Sequence, residues 1–171
     1  FIQSGALNIL TGDPGVGKST LICDLVARLT RGEPLPEAGQ GVGGLEGPQV
    51  CWIMNGEDGA ADTISWRLLN QGADPKRVLI TDSVEPITKG VAQEISDTIA
   101  QHGIGFVVID PLQAWMGGDV DMNRANETRE WANHLKRAAQ RTGAAILFVR
   151  HRRKAGPGES GNLYSGLGSI D

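Results

Sequence analysis

Short runs of consecutive apolar residues alternate along this chain with longer stretches in which apolar positions recur every three or four residues. The runs Ala6–Leu10, Gln49–Met54, Arg77–Thr81, Gly105–Ile109 and Ala144–Val149 predict strands. The stretches near Lys18–Thr30, Ala60–Gln71, Val91–Gln101 and Ala125–Arg141 predict amphipathic helices. Strand and helix in strict alternation is the pattern of an α/β protein. The expected architecture has three layers, α/β/α, around a mainly parallel central sheet of five or more strands with the helices as crossovers.

Composition narrows the class. With 40% hydrophobic and 21% charged residues the chain has the balance of a folded globular protein, which excludes disorder throughout. Its longest apolar runs, such as 104–109 and 144–149, fall far short of the roughly 20 residues of a membrane helix. No basic segment precedes an apolar stretch at the start, so the expectation is a cytoplasmic protein with no membrane partner. Cys23 and Cys51 lie far apart inside apolar patterns, which predicts buried free thiols and not a disulfide framework. A formal net charge of −4 means that any nucleic-acid contact has to come from a local basic patch.

The 24 glycines in 171 residues are about twice the usual share of ~7% and show no three-residue period, which rules out collagen. They cluster. Gly12, Gly15 and Gly17 follow a predicted strand and open a predicted helix. Residues 32–48 hold six Gly and three Pro, and 156–168 hold five Gly, so both read as flexible loops, the second preceded by basic residues from 150 onward. The length fits one domain over 1–171, and the abrupt ends predict a core excised from a longer protein.

The first cluster carries the chemistry. Gly12, Asp13, Pro14, Gly15, Val16, Gly17, Lys18 and Ser19 fit G-x-x-x-x-G-K-[ST] at every fixed position, in the strand–loop–helix context that the motif needs. Glycines let backbone N–H groups turn inward around phosphate oxygens, and the helix N-terminus adds its dipole. These eight residues with Thr20 form the candidate ATP cradle: Lys18 faces the β- and γ-phosphates and the Ser19 hydroxyl is a ligand for Mg2+. Phe106–Ile109 runs apolar into Asp110, the form of a Walker B element, and makes Asp110 the second candidate Mg2+ ligand, beside the phosphate loop.

Hydrolysis also needs a base for water. Pro111 follows Asp110, so the base is not the next residue; strand two instead runs into Asn55-Gly56-Glu57-Asp58, and Glu57 is the preferred candidate. Strand five ends in Arg150-His151-Arg152-Arg153-Lys154. At a strand's carboxyl end His151 is placed to sense γ-phosphate, while the cations face phosphate or a neighbouring subunit, as a trans-acting group does. A solvated basic turn is the alternative. Trp115, in the long segment after Asp110, either stacks on a nucleic-acid base or pins the segment to its own domain.

The phosphate loop, Asn55–Asp58 with Asp62-Thr63-Ile64 and Arg67-Leu68, Gly72-Ala73-Asp74, Arg77-Val78, Val107–Leu112, Ile146–Gly156 and Gly166–Asp171 resemble the RecA-like ATPases related to the RepA replicative helicase. The resemblance covers nearly the whole chain. It implies a RecA-like P-loop NTPase core with Glu57 as catalytic glutamate, Asp110 as Walker B acid and His151 as phosphate sensor. It further implies a homo-oligomeric ring, typically a hexamer, with ATP between subunits and single-stranded DNA at the centre. Two positions depart from the pattern: Arg150-His151 replaces a His-His pair, and Ser165 stands where relatives commonly carry Arg. Arg152, Arg153 and Lys154 are then the candidate trans-acting or DNA-contacting cations. The implied activity is that of a helicase motor; the competing reading is an ATP-switched assembly or regulatory module.

Overall fold

A computed structural model describes residues 2–35, 47–56, 60–116 and 125–151. Within them strand and helix alternate as β1 (Leu7–Gly12), α1 (Lys18–Arg31), β2 (Val50–Asn55), α2 (Ala60–Asn70), β3 (Val78–Thr81), α3 (Lys89–His102), β4 (Ile104–Asp110), α4 (Ala125–Thr142) and β5 (Ala145–His151). The strands form one sheet in the order β1-β5-β4-β2-β3, and all four pairings are parallel. This is the expected α/β architecture, a RecA-like P-loop NTPase fold.

Side chains alternate across a strand, and here the two faces bury two separate cores. Trp52, Met54, Val107, Ile109, Ile146 and Phe148 pack on one face with Ile95 and Ile99 of α3 and Trp131 and Leu135 of α4. Cys51, Ile53, Phe106, Val108, Leu147 and Val149 pack on the other with Ile22, Cys23 and Val26 of α1 and Ile64 and Leu68 of α2. Because both faces are covered, the inner strands read as continuous apolar runs without polar alternation.

The helices end where local chemistry stops them. Gly32 closes α1 and Gly103 closes α3, each at a positive φ, 69° and 60°, that costs glycine little. Thr88 caps α3 by accepting the Val91 N–H at 3.3 Å, which starts that helix two residues ahead of its first apolar position. Polar links tie neighbouring elements together within each layer. Thr30 Oγ1 donates to the Ala27 carbonyl and accepts the Asp74 N–H, and Arg141 donates to Ser96 Oγ at 2.8 Å between α4 and α3.

Every strand but β3 ends beyond its apolar run. β1 extends to Gly12, β2 to Asn55, β4 to Asp110 and β5 to His151, each by one or two residues that hydrophobicity does not mark. Those added residues form the carboxyl edge of the sheet, where an α/β fold binds ligands.

Phe148 is wholly buried in β5 and meets Trp131 edge-to-face with ring centroids 5.8 Å apart. Phe148→Ala is expected to lower the unfolding free energy by about 3–5 kcal/mol, as large-to-small core changes do. Urea unfolding followed by circular dichroism measures this.

Candidate nucleotide site

The segment between β1 and α1 is built to leave backbone donors free. Gly17 is the N-cap of α1 at φ 91°, and neither a capping side chain nor a first-turn acid satisfies the N–H groups of the helix. An anion is the natural partner for such a terminus. Gly15 has φ 79°, and a Cβ at Gly15 or Gly17 would meet no atom within 4 Å, so the two positive-φ glycines border open space. Gly12 is different: a Cβ there would come within 3.1 Å of Val16. Asp13, Pro14 and Val16 are exposed, as is Thr20 in the first turn of α1.

Lys18 is buried, an unusual place for an ammonium, and its Nζ donates to the Gly12 carbonyl at 2.9 Å and the Asp13 carbonyl at 2.8 Å. Its charge is therefore held inside the turn by the loop's own backbone. Arg28 and Arg31 occupy the last turn of α1, where they match the negative end of the helix dipole.

Register places the remaining candidates. Gly12 pairs with His151, and Asn55 with Asp110. By strand alternation Gly12, His151, Asp110 and Asn55 all lie on the sheet face that carries Cys51, Phe106 and Val149, which is the face covered by α1. All four thus lie at the carboxyl edge of the sheet, on the face that α1 and α2 cover. Asp110 is buried, and its carboxylate is near enough to Cys23, one turn beyond Ser19 on α1, to contribute to raising that thiol's pKa. Burial is the main cause of that rise, and Arg67 of α2 opposes it.

Strand order and alternation set the remaining positions. β5 lies between β1 and β4, so Asp110 is one strand away from the phosphate loop and His151 is its immediate neighbour. Arg150 does not join a basic surface: it is buried, its pKa is lowered by desolvation, and alternation turns it toward the α3/α4 layer, away from His151. Trp115 pins its own segment. It is only 2% exposed in a 3-10 turn over Leu112–Met116, and its carbonyl accepts the Ile87 N–H at 2.7 Å. Glu57, Arg152, Arg153 and Lys154 lie outside the described residues, as do most of the two glycine-rich segments.

The donor set suits a hard cation. A serine hydroxyl at the start of α1 and one carboxylate across β5 are what Mg2+ takes from a protein when phosphates and water complete its octahedron. No group of three or more His, Cys, Asp or Glu able to hold a metal occurs among the described residues.

Comparison with known proteins gives the family. Residues 1–157 match the AAA domain family. The chain belongs to that family. It is also similar to the DNA repair protein RadA of Brucella abortus (27% identity over 158 residues), of Pseudomonas aeruginosa (26% over 155) and of Listeria monocytogenes (28% over 157). Each alignment covers 91% of this chain and 30% of the relative, so the chain spans under a third of the length of these proteins. Fold and family together make this AAA domain a RecA-like P-loop ATPase, a class that binds nucleotide. Among the described residues no helix is long and apolar enough to cross a membrane.

Asn55, buried at the end of β2 and paired with Asp110, was not among the candidates that the sequence suggested. The signal was present, because Asn55 ends the apolar run of β2 as Asp110 ends that of β4.

Both cysteines are buried and unpaired, and burial pushes the Cys51 thiol up to about 12. A thiol-specific reagent at pH 8 is expected to label neither until the domain unfolds, with reactivity rising alongside the denaturant transition. Each thiol stays protonated in the folded state at pH values where the unfolded thiol ionises, so the unfolding free energy falls as pH rises above about 9. Chemical denaturation at pH 8 and pH 10 checks the sign.

Proposed function

We propose that this AAA domain hydrolyses ATP with Mg2+ as the motor core of a RepA-like replicative DNA helicase. One observation carries the reading: Gly12, His151 and Asp110 share the sheet face that α1 covers, with Lys18 held at the phosphate loop. The relatives named as DNA repair proteins make DNA the substrate class to test first.

In this reading the glycine-rich turn and the α1 N-terminus bind the triphosphate, and Lys18 exchanges its two carbonyl partners for phosphate oxygens. Ser19 and Asp110 hold Mg2+, which when bound neutralises charge developing on the phosphates. Glu57 accepts the proton of the attacking water. His151, adjacent to Gly12, reads the γ-phosphate and reports it along β5. Arg152, Arg153 and Lys154 follow directly and serve either the site of a neighbouring subunit in a homo-oligomeric ring or single-stranded DNA.

An ATP-switched assembly module is the second reading, favoured by the net charge of −4, which gives DNA no overall attraction. ATPase rate with and without single-stranded DNA, measured beside molecular mass with and without ATP, separates the two. DNA stimulation within an ATP-dependent ring supports the motor. Slow turnover indifferent to DNA, with ATP-dependent assembly, supports the switch.

Lys18→Ala is expected to abolish hydrolysis and weaken ATP binding. Glu57→Gln is expected to keep binding and lower turnover by about 10²–10⁴-fold, the usual contribution of a positioned base. Equal loss of binding in both variants, measured with a fluorescent ATP analogue, overturns these roles.

A further inference from the structure

Six polar or charged side chains are buried among the described residues: Lys18, Thr30, Asn55, Ser96, Asp110 and Arg150. Thr30 and Ser96 join secondary-structure elements, Lys18 is held in the phosphate loop, and Arg150 faces the α3/α4 layer. Asn55 and Asp110 are Cα partners at the ends of neighbouring parallel strands. Both point toward the layer of α1, and neighbouring strands lie about 4.8 Å apart, so an amide and a carboxylate stand side by side at the sheet edge.

We infer that Asn55 is a positioning residue for Asp110: its side-chain amide donates to one carboxylate oxygen and leaves the other aimed at the nucleotide-bound Mg2+. The inference rests on the assignment of Asp110 as a metal ligand made above.

Residue chemistry supports the role. An ionised carboxylate only accepts hydrogen bonds, so a buried one needs donors on the oxygen that the metal does not use. Lysine or arginine in that place would bring positive charge beside a cation, and aspartate or glutamate would repel Asp110. Asparagine donates without adding charge. Asn55 is only 2% exposed, which shields such a bond from competing water.

The backbone holds the pair in place. The Gly56 N–H donates to the Asp110 carbonyl at 2.8 Å and fastens the exit of β2 onto the exit of β4. A Cβ on Gly56 would lie 2.5 Å from the Ala114 Cβ, so the chain after Asp110 closes tightly over this corner. Asn55 is therefore fixed at both its neighbours: β2 pairing on one side and the Gly56 bond on the other.

Outer partners of metal-binding carboxylates typically cost 10–100-fold in metal affinity when removed. The test measures binding of a non-hydrolysable ATP analogue across a Mg2+ titration for the wild type, Asn55→Ala, Asn55→Leu and Asp110→Ala. Leucine fills the volume without a donor, so it serves where alanine leaves a destabilising cavity; thermal unfolding identifies which variants fold. Expected are unchanged metal-free binding in both Asn55 variants and an apparent Mg2+ affinity roughly 10–100-fold weaker, with Asp110→Ala losing the Mg2+ dependence altogether. A wild-type Mg2+ titration in a folded Asn55 variant, beside a disrupted one in Asp110→Ala, overturns the role of Asn55 alone. A wild-type titration in Asp110→Ala overturns the metal assignment and this inference with it.

Discussion

Strand β4 is sealed on both faces, and the organisation of the domain follows from that constraint. Six of its seven residues are buried, Phe106 and Val108 toward α1 and α2, and Val107 and Ile109 toward α3 and α4. Burying an aliphatic or aromatic side chain contributes about 1.5–3 kcal/mol, so the strand can be sealed this way only if apolar residues fill it to near its end. A polar group can enter only where the sheet stops. Asp110 occupies that last position, and Asn55 does the same on β2.

Parallel pairing then converts strand length into site geometry. Because β1, β5, β4 and β2 run in one direction, their last residues, Gly12, His151, Asp110 and Asn55, collect along one edge and not at alternate ends. Alternation divides that edge further: Gly12, His151, Asp110 and Asn55 face α1, whereas Arg150 faces the opposite layer. A shift of one residue in β5 would exchange His151 and Arg150 and put a guanidinium beside the phosphate loop. The pairing of Gly12 with His151 is therefore as much a property of the site as of the sheet.

These physical rules also explain what the sequence made legible. Continuous apolar runs marked all five strands, and helical periodicity marked all four helices, because burial on both faces of the sheet and on one face of each helix leaves strong patterns. The phosphate loop was readable because its glycines and Lys18 each have a mechanical reason at fixed spacing. Strand order was not readable. That β5 separates β1 from β4 depends on non-local pairing, which no local pattern encodes. Arg150 was misplaced for a related reason: in a run of five basic or titratable residues, alternation is invisible until the strand's end is known. Trp115 left two readings open because an indole suits both a core and a base-stacking surface.

Asn55 shows where composition gives least help. A terminal asparagine before glycine is also a common turn signal, and only register turns it into a partner of the Walker B acid. The local cost of burying a neutral amide is small when it is hydrogen-bonded and about 1–3 kcal/mol when it is not. A buried asparagine at the end of an apolar strand therefore needs a partner, and the strand opposite offers a carboxylate whose second oxygen needs a donor. The requirement is mutual: Asp110 can sit in a buried position near a phosphate loop only if something other than water satisfies it whenever metal is absent. A neutral donor fixed by backbone pairing does this in both the metal-free and the metal-bound condition, which Lys18, committed to the loop carbonyls or to phosphate, cannot do.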